Sequence, residues 1–263
     1  MRRCIELASK NIGYTYPNPL VGSVVVCDNK IIGEGSHERY GESHAEVNAI
    51  NSVKDKRLLK NSTLYVNLEP CNHYGKTPPC TEAIINNNIK KVVIGSQDPN
   101  KLVNGSGIEK LRSSGCNVSV GIMDKECDKL NKRFFTYHKL KRPFIILKWA
   151  ETKDGFISPT KSVHTLKKVN WISGEDAKKL SHKWRSEEHS ILVGVQTIID
   201  DDPILTTRFV EGRSPIRFVL DPNSRIPLDS RILSGTVKTT VLSKKENKLI
   251  PSYTKAIEFD DIN

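Results

Sequence analysis

Along the first half of the chain, short runs in which β-branched and apolar residues alternate with polar ones give way repeatedly to stretches with apolar residues three and four apart. The first pattern predicts strands over 21–27, 30–35, 63–68, 91–95 and 116–120, the first two joined by the turn Asp28-Asn29. The second predicts helices over 3–11, 44–52, 81–87 and 107–113, and a longer one over 125–139 that must end before Pro143. Beyond Lys141-Arg142-Pro143 the pattern starts afresh. An apolar run at 144–150 leads into a polar stretch at 151–170, a helix over 175–185, and β-type runs at 190–195, 216–220 and 239–242. This predicts an α/β chain of two domains, 1–141 and 142–263, each a sheet covered by helices. No internal repeat or low-complexity segment interrupts the pattern.

Length supports the division, since 263 residues suffice for two domains that each bury a core. With 37% hydrophobic and 27% charged residues the composition is that of a soluble globular protein, and no run approaches the roughly 18 apolar residues of a membrane span. Met1-Arg2-Arg3 meets Glu6, Ser9 and Lys10 before any signal-peptide core develops, so we read no export signal. Six cysteines without the regular spacing of a secreted disulfide scaffold point to reduced thiols in a cytoplasm. The formal charge of +11 changes little. The lysines are scattered as singles and pairs, and no basic arm is present that would track a nucleic-acid backbone.

Candidate chemistry is concentrated in His44-Ala45-Glu46 and in Pro70-Cys71 with Pro79-Cys80. One histidine and two cysteines make three zinc ligands, and a three-ligand site keeps its fourth position for water, as catalytic rather than structural zinc does. Zinc lowers the pKa of such a water toward about 7, and a neighbouring base is still needed to steer the proton. Glu46 is placed for that role. Zinc deaminases pair an H-x-E with a later P-C…C, the glutamate acting as general acid/base off the metal. Here eight residues separate Cys71 from Cys80 instead of the commoner two, and the added loop carries His73 and Lys76, cations suited to an anionic substrate. Each feature also has a plain reading. Ser43-x-x-Glu46 fits a helix capping box, and Cys4, Cys27, Cys116 and Cys127 are expected to be small core hydrophobes. The conjunction favours the metal site.

The chain resembles the bifunctional riboflavin-biosynthesis deaminase/reductase family. The resemblance rests on Pro17-Asn18-Pro19-Leu20-Val21-Gly22, Gly33-Glu34-Gly35-Ser36-His37, Gly41-Glu42-Ser43-His44-Ala45-Glu46, the long loop with Thr77-Pro78-Pro79, and Asp98-Pro99-Asn100. It implies a cytidine-deaminase-like three-layer domain followed by a partial dihydrofolate-reductase-like α/β domain. It also implies one Zn2+ on His44, Cys71 and Cys80, catalysis by Glu46, and a phosphorylated ribosylamino-pyrimidinone as substrate, touched by Asn18, His37, His73, Lys76 and Asn100. In the second half the resemblance is carried by 147–150 with Asp154-Gly155, Trp171-Ile172-Ser173, 189–194 and 201–208. There it implies NADPH contacts at Ala150, Trp171, Thr197 and Asp201 and substrate contacts at Arg185, Leu205 and Arg208.

The Gly-rich segment with which the family wraps NADPH has no counterpart before Asn263, a polar insertion at 162–168 precedes Trp171, and Val169 and Pro222 replace hydroxyl-bearing residues. Asn104-Gly105-Ser106-Gly107 lacks the placement of a Rossmann phosphate loop. We therefore expect a working deaminase with a reductase half that is inactive alone, open to a homo-oligomeric state or to a complementing reductase fragment. Two other readings stay open. One is a zinc deaminase acting on a nucleic-acid base, against which stand the long cysteine loop and an aromatic content of only 6%. The other is a zinc-stabilised binding protein without activity.

Overall fold

In the computed structural model, residues 1–157, 171–235 and 237–244 and the strand at 254–258 are described. Contacts divide the chain into two compact units, Met1–Ile146 and Leu147–Asn263.

The first unit is built on a five-stranded sheet of order β2-β1-β3-β4-β5, formed by β1 (Gly22–Cys27), β2 (Lys30–Ser36), β3 (Thr63–Leu68), β4 (Lys91–Ser96) and β5 (Asn117–Val120). Strand β1 pairs antiparallel with β2 and β3, whereas β3, β4 and β5 run parallel. The alternation that marked these strands decides their faces. Val25, Leu64, Val66 and Ile94 join one large core with Ala49, Ile50, Ile84, Ile108 and Leu111. Those partners come from α2 (Ala45–Ser52), α3 (Cys80–Asn86) and α4 (Ser106–Ser113). Val24 packs on the opposite face with Cys4 and Leu7 of α1 (Arg2–Ser9). The result is three layers, helix on sheet on helix.

Two expectations are corrected. The predicted helix over 125–139 is two helices, α5 (Asp124–Leu130) and α6 (Lys132–Leu140), broken at Asn131. The cause is tertiary. Asn131 turns its buried carboxamide inward, its Oδ1 accepting from the Leu20 N–H at 2.8 Å and its Nδ2 donating to the Leu20 carbonyl at 2.9 Å. Asn67 makes matching bonds to Gly22 N–H and Leu20 O, so the segment leading to Asn18 is pinned from two sides. The capping box is also absent. His44, not Ser43, is the N-cap of α2, no side chain caps that end, and Glu46 sits inside the first turn.

The helix that carries His44 and Glu46 lies directly on β2 because of Gly35. A Cβ there would stand 2.3 Å from the Ala49 backbone nitrogen and 2.7 Å from the Ala45 carbonyl oxygen. Backbone cannot yield as a flexible side chain can. Gly35→Ala is therefore expected to destabilise the first unit by about 1–3 kcal/mol, the range for overpacking, read as a lower midpoint in urea unfolding.

The second unit has a parallel sheet of order β6-β7-β8-β9, made of β6 (Ser190–Gly194), β7 (Ile216–Leu220), β8 (Thr239–Ser243) and β9 (Thr254–Glu258). Its helices are α7 (Glu175–Glu187) and α8 (Val195–Asp201), and Val195, Ile198, Val219, Ile232 and Val241 form its core. Helix α8 is not among the predicted helices, since the β-type run at 190–195 extends through Val195, its first residue, and no element is predicted over 196–201. Gly194 supplies the N-cap and Ile198, 1% exposed, the anchor. The apolar run at 144–150 forms no strand, and Ile145, Leu147 and Trp149 are exposed. The insertion at 162–168 and Val169 lie outside the described residues. No helix among the described residues is long and apolar enough to cross a membrane.

Candidate zinc and substrate site

Parallel strands β3 and β4 end side by side, Leu68 paired with Ser96, and the chain beyond each turns into one cavity of about 460 Å³. Such a cleft beyond the carboxyl ends of parallel strands is where α/β sheets place their chemistry. After β3 come Glu69, Pro70 and Cys71, and after β4 Asp98 and Asn100, while the N-terminus of α2 brings His44 and Glu46.

His44 Nδ1 lies 3.2 Å from Cys80 Sγ and 3.5 Å from Cys71 Sγ, and the three donor atoms fall within 4.8 Å of one another. Zinc with Zn–S near 2.3 Å and Zn–N near 2.0 Å has tetrahedral edges of about 3.5–3.8 Å, so the donor set fits it. The two thiols are not equivalent. The Cys80 thiol and backbone N–H both face Cys71 Sγ, the backbone bond being 3.4 Å, and with His44 alongside they hold Cys71 well below the usual thiol range. Cys80 is pushed the other way, first by Cys71 and then by burial. His44 is raised, chiefly by its bond to Cys71. Thiolate character thus favours Cys71, as expected of a cysteine facing a helix N-terminus.

Glu46 is 3% exposed and lines the same cavity. Burial lifts its carboxyl to about 7, with Cys71 acting in the same direction and His44 opposing. His37 is buried and its pKa lowered by that burial. Its Nδ1 faces the Ser43 carbonyl at 3.1 Å, which can only accept, so Nδ1 carries the proton and Nε2 accepts from Asn18 Nδ2 at 3.0 Å. Asn18 is half-buried, as is Asn100, whereas His73 and Lys76 are exposed at the rim, Lys76 Nζ standing 4.0 Å over the Tyr40 ring. The cavity wall thus brings together Asn18, His37, His44, Glu46, Cys71, His73, Lys76 and Asn100, with Cys80 buried behind it.

The same wall holds residues that sequence reasoning passed over: Tyr40, Glu69, Asp98, Val103 and Phe134. Asp98 stood inside the quoted Asp98-Pro99-Asn100 but was given no role of its own. It is buried, and burial lifts it to about 7 against the pull of the Asn100 N–H, with Glu69 and Cys71 adding to the rise. Phe134 had no signal, because it reaches the cavity only once Asn131 has broken the helix.

In the second unit Arg185 Nη1 and Arg208 Nη1 converge on Thr206, the first donating to its carbonyl at 2.8 Å and the second to its hydroxyl at 3.0 Å. Leu205 beside them is buried with φ +59°. Thr197 and Asp201 lie one turn apart, exposed, on α8. Trp171 is exposed beneath the Lys178 ammonium, and Ala150 lies in the irregular stretch near the start of the unit.

Comparison with known proteins agrees with both halves. Residues 1–96 match the cytidine and deoxycytidylate deaminase zinc-binding region, and residues 143–255 match the RibD C-terminal domain. The riboflavin biosynthesis protein RibD of Aquifex aeolicus is 46% identical over 250 residues, covering 94% of this chain and 68% of that protein. Its Escherichia coli counterpart is 36% identical over 260 residues, covering 94% and 69%. A crystal structure of a diaminohydroxyphosphoribosylaminopyrimidine deaminase/5-amino-6-(5-phosphoribosylamino)uracil reductase from Thermotoga maritima superposes with a TM-score of 0.91. It is 41% identical and covers 99% of this chain and 73% of its own. Other curated relatives are longer still, the chain spanning 60% of the protein from Actinobacillus pleuropneumoniae and 65% of that from Synechocystis.

Proposed function

The chain belongs to the riboflavin-biosynthesis deaminase/reductase family, and from that premise we propose that it replaces the ring 2-amino group of 2,5-diamino-6-ribosylamino-4(3H)-pyrimidinone 5′-phosphate by oxygen. The products are 5-amino-6-(5-phosphoribosylamino)uracil and ammonia. The observation that carries the reading is the convergence of three zinc-ligand atoms and a buried glutamate in one cavity.

His44, Cys71 and Cys80 would hold the metal, which when bound acidifies water and so supplies a nucleophile at neutral pH. Glu46 holds the proton that has to travel from water to the ring nitrogen and the departing amine. A carboxyl lifted to about 7 by burial suits both taking and giving it. The neutral His37–Asn18 pair and Asn100 supply fixed polar groups for the pyrimidinone, and the burial of His37 keeps bulk water from competing for its ring. His73 and Lys76, exposed at the rim, suit a 5′-phosphate that reaches out of the pocket.

In the second unit, Arg185 and Arg208, brought together at Thr206, suit the phosphate of the reductase substrate beside Leu205, and Ala150, Trp171, Thr197 and Asp201 remain the proposed NADPH contacts. The exposure of Trp171 and of the strandless 144–150 run supports the reading that this polypeptide alone carries out only the deamination. We place that work in the cytoplasm, where the six free thiols stay reduced.

Purified protein with about one zinc per chain is expected to release ammonia from this pyrimidinone. Removal of the 5′-phosphate should raise KM by at least about tenfold, as loss of a charge-assisted contact does. Zinc-loaded protein that releases no ammonia would overturn the substrate assignment, and NADPH consumption with the deaminated product would overturn the inactive second half.

A further inference from the structure

Glycines at 105 and 107 open α4 in a way that invites comparison with a phosphate-binding loop, and the structure shows what anion they hold. It is the side chain of Glu69. This carboxylate, 4% exposed, accepts four backbone N–H bonds. Oε2 takes Asp98 at 3.1 Å and Gly105 at 3.0 Å, and Oε1 takes Gly107 at 3.0 Å and Ile108 at 3.2 Å. Four bonds use all the acceptor directions a carboxylate has, and among the described residues no ion pair of Glu69 is present.

Helix α4 has no capping side chain of its own, its N-cap Gly105 adopting φ +96°, so Glu69 caps it from the residue that follows β3. The approach is close. A Cβ at Gly107 would meet the Pro70 carbonyl oxygen at 2.0 Å. Glu69 is also fixed at its own backbone, its N–H donating to Ser96 O at 2.9 Å across the β3–β4 ladder. The span 98–108 that it gathers contributes Asp98, Asn100 and Val103 to the cavity wall. Two residues beyond Glu69 is the zinc ligand Cys71.

We infer that Glu69 is a positioning residue that locks the Asn100 loop to the metal-ligand segment, so that substrate contacts and zinc are held in one register. The inference rests on the deaminase reading above. It assigns Glu69 no contact with substrate and no proton to move. Glu69→Gln keeps the shape but turns an amide NH2 toward two N–H donors, releasing half of the clamp.

The variant is expected to retain the wild-type zinc content and a kcat within about threefold, with KM raised about tenfold. In an Asn100→Ala background the same change should raise KM less than about twofold, because the residue through which it acts is gone. Effects that multiply in full, or an unchanged KM, would overturn the inference, as would loss of zinc and kcat with KM intact. Should the glutamine variant fail to accumulate, Glu69→Asp, which keeps the charge and retracts it, carries the same test. A second readout is independent of the substrate assignment. Amide hydrogen exchange at Asp98, Gly105, Gly107 and Ile108 should be slow in the wild type, and one of the two pairs, Asp98 with Gly105 or Gly107 with Ile108, should become fast in the variant. Equal protection of all four in both proteins would overturn the clamp. Wild-type protein that releases no ammonia yet shows this exchange difference would remove the deaminase reading and leave the clamp standing.

Discussion

Glu46→Gln is expected to reduce ammonia release by at least about a hundredfold, the lower end of what a positioned general acid/base contributes, with zinc content unchanged. The substitution is nearly isosteric. Glutamine fills the same buried volume at the start of α2 and leaves His44, Cys71 and Cys80 as they are. It cannot accept a proton from water or return one to a departing amine. Stability is expected to hold or rise, because a carboxyl lifted to about 7 by burial is a poor place for charge and a neutral amide relieves it. Rate, metal content and melting temperature measured on one preparation therefore separate chemistry from folding. Activity within about tenfold of wild type, with zinc in place, would remove Glu46 from the reaction and point to Asp98, the cavity carboxyl that burial likewise lifts to about 7.

Much of the first unit was legible because its strands obey simple alternation. The bounds 63–68 and 216–220 recur in the structure as β3 and β7, and β1, β2 and β4 differ from their expected spans by one residue. The metal donors were legible because cysteine, histidine and glutamate in that order have few other uses in combination. What escaped was decided by tertiary bonds between distant residues. Nothing near Asn131 announces a helix break, because its partner is Leu20, 111 residues away. The capping-box letters were present, but the N-cap falls one residue later, at His44, with α2 beginning at Ala45, and Glu46 lines the cavity. Glu69 read as the letter before Pro70-Cys71, since its four donors come from a loop that begins 29 residues on. At 144–150 the residues favour a strand, and among the described residues no strand pairs with them. A β propensity needs a neighbour to pair with before it becomes a strand.

Cys80→Ala is expected to lose the zinc, the activity and the metal-dependent part of the stability together. Cys80 is fully buried at the first position of α3, and its sulfur is within 3.2 Å of His44 Nδ1. Deleting that sulfur leaves two protein donors, one imidazole and one thiolate, too few for a site that tolerates dialysis against a chelator. Metal content should fall from about one per chain toward zero, and ammonia release by about a thousandfold or more, because the nucleophile depends on the metal. A ligand that binds only the folded state at a thousand times its Kd adds about 4 kcal/mol, and this increment should vanish from the unfolding curve. The apolar contact of a small thiol is worth far less, so a stability loss of that size reports the metal and not the packing. Cys116→Ala provides the comparison, since Cys116 is also buried in the core but its thiol donates only to the Ile89 carbonyl. It should leave zinc and turnover untouched. If Cys80→Ala kept one zinc and its rate while Cys116→Ala did the same, the cluster of His44, Cys71 and Cys80 would be core packing, and the catalytic reading of the cavity would fall with it.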